Sequence, residues 1–372
     1  MNLDLNTEQK LLKNSAKDFL KKECPKSLVR EARDATEDYP KKLWKKMAKL
    51  GWMGVDIPEE YDGMGGNFLD LMVLIEAMGE ACLPAPFFST VAIAGTALQL
   101  SAAETLKKDL LPRIAAGELV ISFALIEPGN TYGLTNIKTM AVEEGDNYVL
   151  KGTKLFVEYA QSSDFLLTVV NVSGKGLGVF LVETGSPGIS TKPFKTLDYA
   201  KQCEVDLDDV SVPGEYLLAL GPDADALLQA LEERAAVAKC AEMLGGMQMA
   251  FDMSVAYSKE RVQFDRPIGS FQAIQHHCAN MAVELGSSRY ITSLAAWNIS
   301  QGLPAAREVS MAKSYTNTAS NFITKLGHQI HAAISYCDEH DMHLFLRKCK
   351  AASIAFGDTE YHLDKVAGEL GL

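Results

Sequence analysis

Nothing in the chain stays apolar for the roughly 20 residues that a membrane-spanning helix needs. The most apolar long stretch, Val91 to Leu100, is too short and carries Thr96 and Gln99. The first residues, Met1-Asn2-Leu3-Asp4-Leu5-Asn6, have neither a basic patch nor an apolar run, so no secretory signal is expected. Basic blocks are short too. With a net charge of −12, the chain has no run that tracks a phosphate backbone, and nucleic acid is not an expected partner. The local exception, Lys41-Lys42-Leu43-Trp44-Lys45-Lys46, reads as the solvated face of one helix. Cysteine is sparse, odd in number at seven, and never spaced Cys-x-x-Cys. That pattern argues for reduced thiols and against a disulfide frame or a zinc site, and a soluble cytoplasmic protein is expected.

What remains is material for a large core. The 372 residues are 47% apolar and 23% charged, a globular composition with room for two or three packed units. Residues 1–118 carry a helical period. Leu12, Ala16, Phe19 and Leu20 form one stripe, Pro25 ends it, and Pro40 suits the start of a helix that stops near Gly51. The loop Gly63-Met64-Gly65-Gly66 lacks the Lys-Ser/Thr of a phosphate-binding loop, so it reads as a turn before a helix over Leu69 to Glu80. A further helical pair is expected over Val91 to Leu100 and Ala102 to Ala116.

The period changes to strands over 119–222. Tyr148 to Gly152 alternates and turns, and Phe165 to Val170 reads as buried on both faces. Gly178 to Val182 and Cys203 to Leu207 follow. Strands this close, with no helix between them, predict an antiparallel β domain. Residues 223–372 return to helices: Ala224–Lys259, Phe271–Ser300, Pro304–Leu326, Asp338–Phe356 and Thr359–Glu369. Long helices with short links make a bundle whose apolar faces predict an oligomer. The fold class is α+β, with an N-terminal α-helical domain, a middle antiparallel β domain and a C-terminal four-helix-bundle-like domain.

The stretch Arg261-Val262-Gln263-Phe264-Asp265-Arg266-Pro267-Ile268-Gly269-Ser270-Phe271-Gln272 joins two of those helices. Arg261 offers a planar charged fork for a phosphate or carboxylate. Phe264 shares its face if the helix runs on, and Gln272 offers donors and an acceptor. A second cluster, His328, His331, His340 and His343, has no His-Glu-x-x-His spacing and reads as bundle-lining, not metal-binding.

The Arg-x-x-Phe block resembles the acyl-CoA dehydrogenase family, and the resemblance covers essentially the whole chain. Asn6-Thr7-Glu8-Gln9, Gly51-Trp52-Met53-Gly54-Val55, Pro58-Glu59-Glu60-Tyr61-Asp62-Gly63, Glu127-Pro128-Gly129 and Gln329-Ile330-His331 carry it further. The resemblance implies FAD as cofactor, an acyl-CoA substrate and an electron-transfer flavoprotein as acceptor. It also implies a tetramer in which each flavin is completed by the Arg-x-x-Phe and Gln-x-x-Gly-Gly segments of a neighbour. Arg261, Phe264, Gln272 and Gln329 match that neighbour-facing half. Asp265 stands at a usual Gly, and Ala332-Ala333 stands for Gly-Gly.

The chain's own flavin half departs more. The family's Thr-Glu-Pro-x-Ala-Gly-Ser-Asp loop reads Ile126-Glu127-Pro128-Gly129-Asn130-Thr131-Tyr132-Gly133, and Ile126 cannot donate the bond that Thr gives the ring. Phe156-Val157-Glu158 stands for Trp-Ile/Val-Thr, which sets the Glu158 carboxylate toward the ring. The two base positions of the family fall on Phe356 and Ala235, with Asp358 and Glu233 as the nearest carboxylates. The expectation is one subunit of an α2β2 hetero-oligomer with a shared or incomplete flavin site, alongside a homologous subunit. A self-sufficient FAD homotetramer and a non-redox acyl-CoA-binding or scaffold protein remain as alternatives.

Overall fold

The computed structural model describes residues 4–130, 132–133 and 136–372. Thr131, in the loop read from Ile126 to Gly133, and Met1, Asn2 and Leu3 lie outside the described residues. Packing divides the chain into two compact units. One comprises Met1–Arg30, Phe68–Leu83 and Ala236–Leu372; the other comprises Glu31–Asn67 and Pro84–Ala235.

The first unit is helical. Helix α1 (Thr7–Glu23) opens on a capping box, in which Asn6 Oδ1 accepts the Gln9 amide at 2.8 Å and Gln9 Oε1 accepts the Asn6 amide at 3.1 Å. Helix α2 spans Lys26–Asp34, and α3 (Lys41–Lys49), in the other unit, follows Pro40 as its N-cap. Helix α4 (Phe68–Ala81) is buried on nearly every side. Gly79 and Gly245 let it touch the next long helix backbone to backbone: a Cβ on Gly79 would lie 2.2 Å from the Glu242 carbonyl, and one on Gly245 2.1 Å from that of Glu76. Glu76 is buried on α4 and is paired with Lys13 at 2.9 Å and Arg289 at 2.6 Å.

The second unit continues with an unusual π-helix over Phe88–Gly95, where a plain helix over Val91 to Leu100 was expected, then α5 (Thr96–Leu100) and α6 (Glu104–Ala115). Thr90 Oγ1 fixes the π-helix to the first strand, contacting both the amide and the carbonyl of Ile121 at 3.1 Å. The strands are β1 (Ile121–Ala124), β2 (Met140–Glu144), β3 (Asn147–Glu158), β4 (Phe165–Val172), β5 (Gly176–Glu183), β6 (Ile189–Phe194), β7 (Gln202–Pro213) and β8 (Leu217–Leu220). Their sheet runs β6-β7-β3-β2-β4-β5-β8, with β1 also paired to β4.

Two sequence readings are corrected here. The sheet is mostly but not wholly antiparallel, because β4 runs parallel to both β1 and β2. After the β2–β3 hairpin the chain steps to the far side of β2, so β4 must run the same way as β2. Gly152 does not turn the chain. It sits inside β3 at a register shift, where a Cβ would lie 2.7 Å from Thr139 Cα. Phe165 to Val170 are buried at every position, as both-face burial requires.

The chain ends in α7 (Pro222–Glu260), a two-stranded ribbon of β9 (Val262–Gln263) and β10 (Arg266–Pro267), α8 (Gln272–Ser300), α9 (Ala306–His331), α10 (Met342–Ile354) and α11 (Thr359–Glu369). Leu244, Met247, Met281, Leu285, Ile323 and Met342 are among the core residues of its helical part. All seven cysteines are free, and no helix of the described residues is long and apolar enough to cross a membrane.

Candidate functional site

The chain around Arg261 does not continue α7. The helix ends at Glu260, and although the Arg261 amide still reaches the Tyr257 carbonyl at 2.8 Å, a hairpin follows. Gln263 pairs with Arg266 and Val262 with Pro267. Phe264 and Asp265 form the tip, both at positive φ, 53° and 62°. That is the mirror-image turn that two-residue hairpins favour, and its second position ordinarily takes Gly. Asp tolerates it, which accounts for Asp265 at the usual Gly position. Phe264 therefore does not share a helix face with Arg261. It projects from the tip, 87% exposed, and meets Phe271 edge-on with centroids 6.0 Å apart. Arg266 lies over the same Phe271 ring at 4.1 Å.

Gln272 is the first residue of α8, exposed, at a helix start that no side chain caps. Gln329 is exposed near the end of α9, two residues before His331, which stacks on Tyr257 of α7 with centroids 4.5 Å apart. Ala332 and Ala333 follow, also exposed. Ala332 takes φ 56° and ψ −144°, a backbone region that is essentially glycine's own. The glycine geometry survives where the glycine does not.

The β half is built differently. Glu127 is buried and spends both oxygens on its own chain: Oε1 accepts from Lys154 Nζ at 2.6 Å and from the Thr139 amide at 3.0 Å, and Oε2 accepts the Lys138 amide. Burial alone would raise the Glu127 carboxyl, but the Lys154 charge and these bonds outweigh it and hold it below its ordinary range. The Lys154 amine is fully buried and is pushed down to about 8. Next to this anchor, Ile126 accepts the Leu155 amide on its carbonyl at 2.8 Å, and its side chain has nothing to donate. Phe156 sits at a register shift with φ 56°, half-exposed, against Phe194 at 5.4 Å. Glu158 is half-buried, and its carbonyl accepts Ser122 Oγ at 2.6 Å.

Neither base position holds a carboxylate. Ala235 is fully buried in α7. The helix is unbroken from Pro222 to Glu260, so Glu233 points about 200° away from the Ala235 direction. Glu233 Oε1 accepts instead from Gln229 Nε2 at 3.3 Å. Asp358 is the N-cap of α11, with Oδ1 accepting the Tyr361 amide at 2.9 Å. The turn before it is pinned. Phe356, at φ 55°, accepts His362 Nε2–H on its carbonyl at 2.9 Å, and the Gly357 carbonyl accepts Lys313 Nζ at 3.0 Å. Of the residues named from the sequence, Arg261, Phe264, Gln272, Gln329, Ala332 and Ala333 lie at or just beyond the ends of α7, α8 and α9, and Ile126, Phe156 and Glu158 lie along the Glu127 loop and β3. Sequence reasoning missed Lys154 and Lys313. Both stand at inward-facing steps of their element, Lys154 four after Leu150 and Lys313 four after Val309.

Among the described residues, no group of three or more His, Cys, Asp or Glu converges on a metal position. The models for the acyl-CoA dehydrogenase N-terminal, middle and C-terminal domains match residues 6–118, 122–210 and 226–371. The chain is 32% identical to a probable acyl-CoA dehydrogenase of Bacillus subtilis over 100% of both chains. It is 30% identical to the acryloyl-CoA reductase (NADH) of Anaerotignum propionicum, over 100% of this chain and 96% of that one. A chain in a solved structure of the electron transferring flavoprotein of Acidaminococcus fermentans superposes with a TM-score of 0.92 at 27% identity, over 100% and 99% of the two chains. The chain belongs to the acyl-CoA dehydrogenase family, oxidoreductases that act on CH–CH bonds with FAD as cofactor.

Proposed function

We propose that this chain is one subunit of a hetero-oligomeric acyl-CoA dehydrogenase that completes the FAD site of a homologous partner and holds no complete flavin site itself. The observation that carries the reading is a contrast. The neighbour-facing group is present and presented to solvent, while the chain's own half lacks the donor at Ile126 and a carboxylate at Phe356 and Ala235. The exposed group fits the phosphate end of a flavin dinucleotide. Arg261 supplies a permanent charge, Phe264 an aromatic face, and Gln272 and Gln329 supply amides, beside an uncapped helix start. The chain's own ring side does not fit on its side chains, so no catalytic step is assigned to it.

The chemistry the flavin supplies when bound is acceptance of the β-hydride of an acyl-CoA thioester. A base must take the weakly acidic α-proton in a dry pocket. On this reading the partner supplies that base, since Asp358 is engaged as a helix cap and Glu233 faces away from its slot. The electron acceptor is proposed to be an electron-transfer flavoprotein, supported by the likeness to the Acidaminococcus fermentans structure.

The test is the flavin content of this chain alone and co-expressed with its partner. A colourless chain alone, and half a flavin per chain in the complex, are expected, and Arg261→Ala should strip the partner's flavin. Full flavin in the Arg261→Ala complex, or one flavin bleached by acyl-CoA in the lone chain, defeats the proposal in favour of a self-sufficient enzyme.

A further inference from the structure

His328, His331, His340 and His343 meet where α9 ends, the Ala332–Tyr336 turn follows and α10 begins. His328, His331 and His343 are buried, and His340 is half-buried. Their hydrogen bonds fix their tautomers. Ser335 Oγ gives its one proton to the Ala332 carbonyl at 2.7 Å, so it accepts from His328 Nδ1–H at 2.8 Å. His328 Nε2 is then a bare lone pair, buried and without a hydrogen-bond partner among the described residues. His343 Nε2 faces the Asp338 carbonyl at 3.2 Å and must carry the hydrogen, which leaves its Nδ1 bare, buried and equally unpartnered. His331 Nδ1–H donates to the Gly327 carbonyl at 2.8 Å, and His340 Nδ1 accepts the Met342 amide at 3.2 Å.

The groups facing this knot are Arg30 from α2, Tyr257 from α7, Tyr336, Asp338 and Glu339 from the turn, and Asp341 at the start of α10. Arg30 clamps the turn by donating to the Asp338 and Glu339 carbonyls at 2.9 and 3.0 Å and to Asp341 Oδ1 at 2.7 Å. Asp338 Oδ1 lies 3.7 Å from His343 Nε2. Tyr336 covers His328 with centroids 4.7 Å apart, and His340 meets His331 at 5.0 Å. Burial first, then the like charge of neighbouring rings, holds His328 below the ordinary histidine range. Burial dominates at His331 and His340 also, in the same direction.

We propose that this histidine knot is a proton-operated latch on the Gln329–Tyr336 segment: neutral, it holds Ala332 in its glycine-like conformation, and a proton taken up by the knot releases the turn. The link is burial: a proton added at His328 Nε2 leaves Nδ1–H donating to Ser335 but creates a charged N–H, buried under Tyr336 with no acceptor among the described residues, which opening the turn hydrates. The sign follows from the depressed affinity of His328, His331 and His340 for protons in the folded chain. The latch is closed above about pH 6.5, the unfolded histidine value, and opens progressively as pH falls below it. Any effect on flavin sharing rests on the proposed function; the latch itself does not.

Hydrogen–deuterium exchange of the full chain at pH 7.5 and 5.5, corrected for intrinsic rates, tests it. Protection over 332–341 should fall at least tenfold at the lower pH while that of α4 stays constant. In His328→Asn, whose amide keeps the donor to Ser335 without titrating, the pH response should be smaller than in the wild type. If that variant does not fold, His340→Asn, whose amide oxygen can still accept the Met342 amide, must show a smaller response than the wild type. Equal protection of the wild-type segment at both pH values, or an undiminished response in the variant, overturns the latch.

Discussion

Lys154 Nζ lies 2.6 Å from Glu127 Oε1, with both side chains sealed from solvent. The pair ties β3 to the loop that follows Ile126. Removing one partner strands the other as a buried charge, so Lys154→Met should destabilise the fold by about 3–5 kcal/mol. The double change Lys154→Met/Glu127→Gln should recover much of that loss. Urea denaturation of the two variants against the wild type checks it; equal losses in both would mean the cost is packing, not charge.

That ion pair marks the limit of what the sequence discloses. The helical periods of α8, α9 and α11 and the strand at Phe165 were legible because burial repeats at 3.6 or 2 residues. Arg261, Gln272 and Gln329 were named through the family resemblance, since no local period singles them out. The hairpin at Val262 to Pro267 was not legible, because its apolar residues prolong the α7 pattern while Phe264 and Asp265 take positive φ. Lys154 and Lys313 were not singled out, because nothing local shows that a carboxylate 27 positions away, or carbonyls some 40 positions on, will enclose them.

Ala332 stores strain. Its φ of 56° and ψ of −144° cost an alanine on the order of 1–3 kcal/mol, against which glycine loses less than about 1 kcal/mol through the unfolded chain. Ala332→Gly should therefore raise stability by about 1 kcal/mol without altering the hairpin. A thermal melt reads the gain, and a lower midpoint would show that alanine is at ease there.

Lys313 closes the end of α10. Its ammonium is ringed by Asn317 Oδ1 at 2.8 Å and the Ala352, Ser353 and Gly357 carbonyls at 3.0, 3.3 and 3.0 Å, four acceptors that share its three N–H bonds. Burial pushes the amine down to about 8, so it remains largely charged at neutral pH. Lys313→Met keeps the volume but leaves those carbonyls without their donor. A loss of roughly 2–4 kcal/mol is expected, with exchange rising first at the end of α10. Uniform loosening of all the helices would argue against a local clamp.

His362 gives the chain a titration of its own. It is buried, with Nδ1 3.3 Å from Ser310 Oγ and Nε2–H donating to the Phe356 carbonyl. Burial drives its proton affinity down to about 4, more than the Phe356 bond restores. Below about pH 6.5 the unfolded chain takes up a proton that the folded chain refuses, so stability falls from there until the folded ring titrates near 4. Over that window the single ring accounts for about 3 kcal/mol, at up to about 1.4 kcal/mol per pH unit. His362→Gln keeps an amide donor where Nε2–H stood and cannot titrate. Denaturation at pH 7, 6, 5 and 4.5 should give a shallower decline for the variant than for the wild type, with the curves diverging below 6.5. Parallel curves would mean that His362 is already protonated in the folded chain, and that the Phe356–Gly357 turn is held by a charged ring.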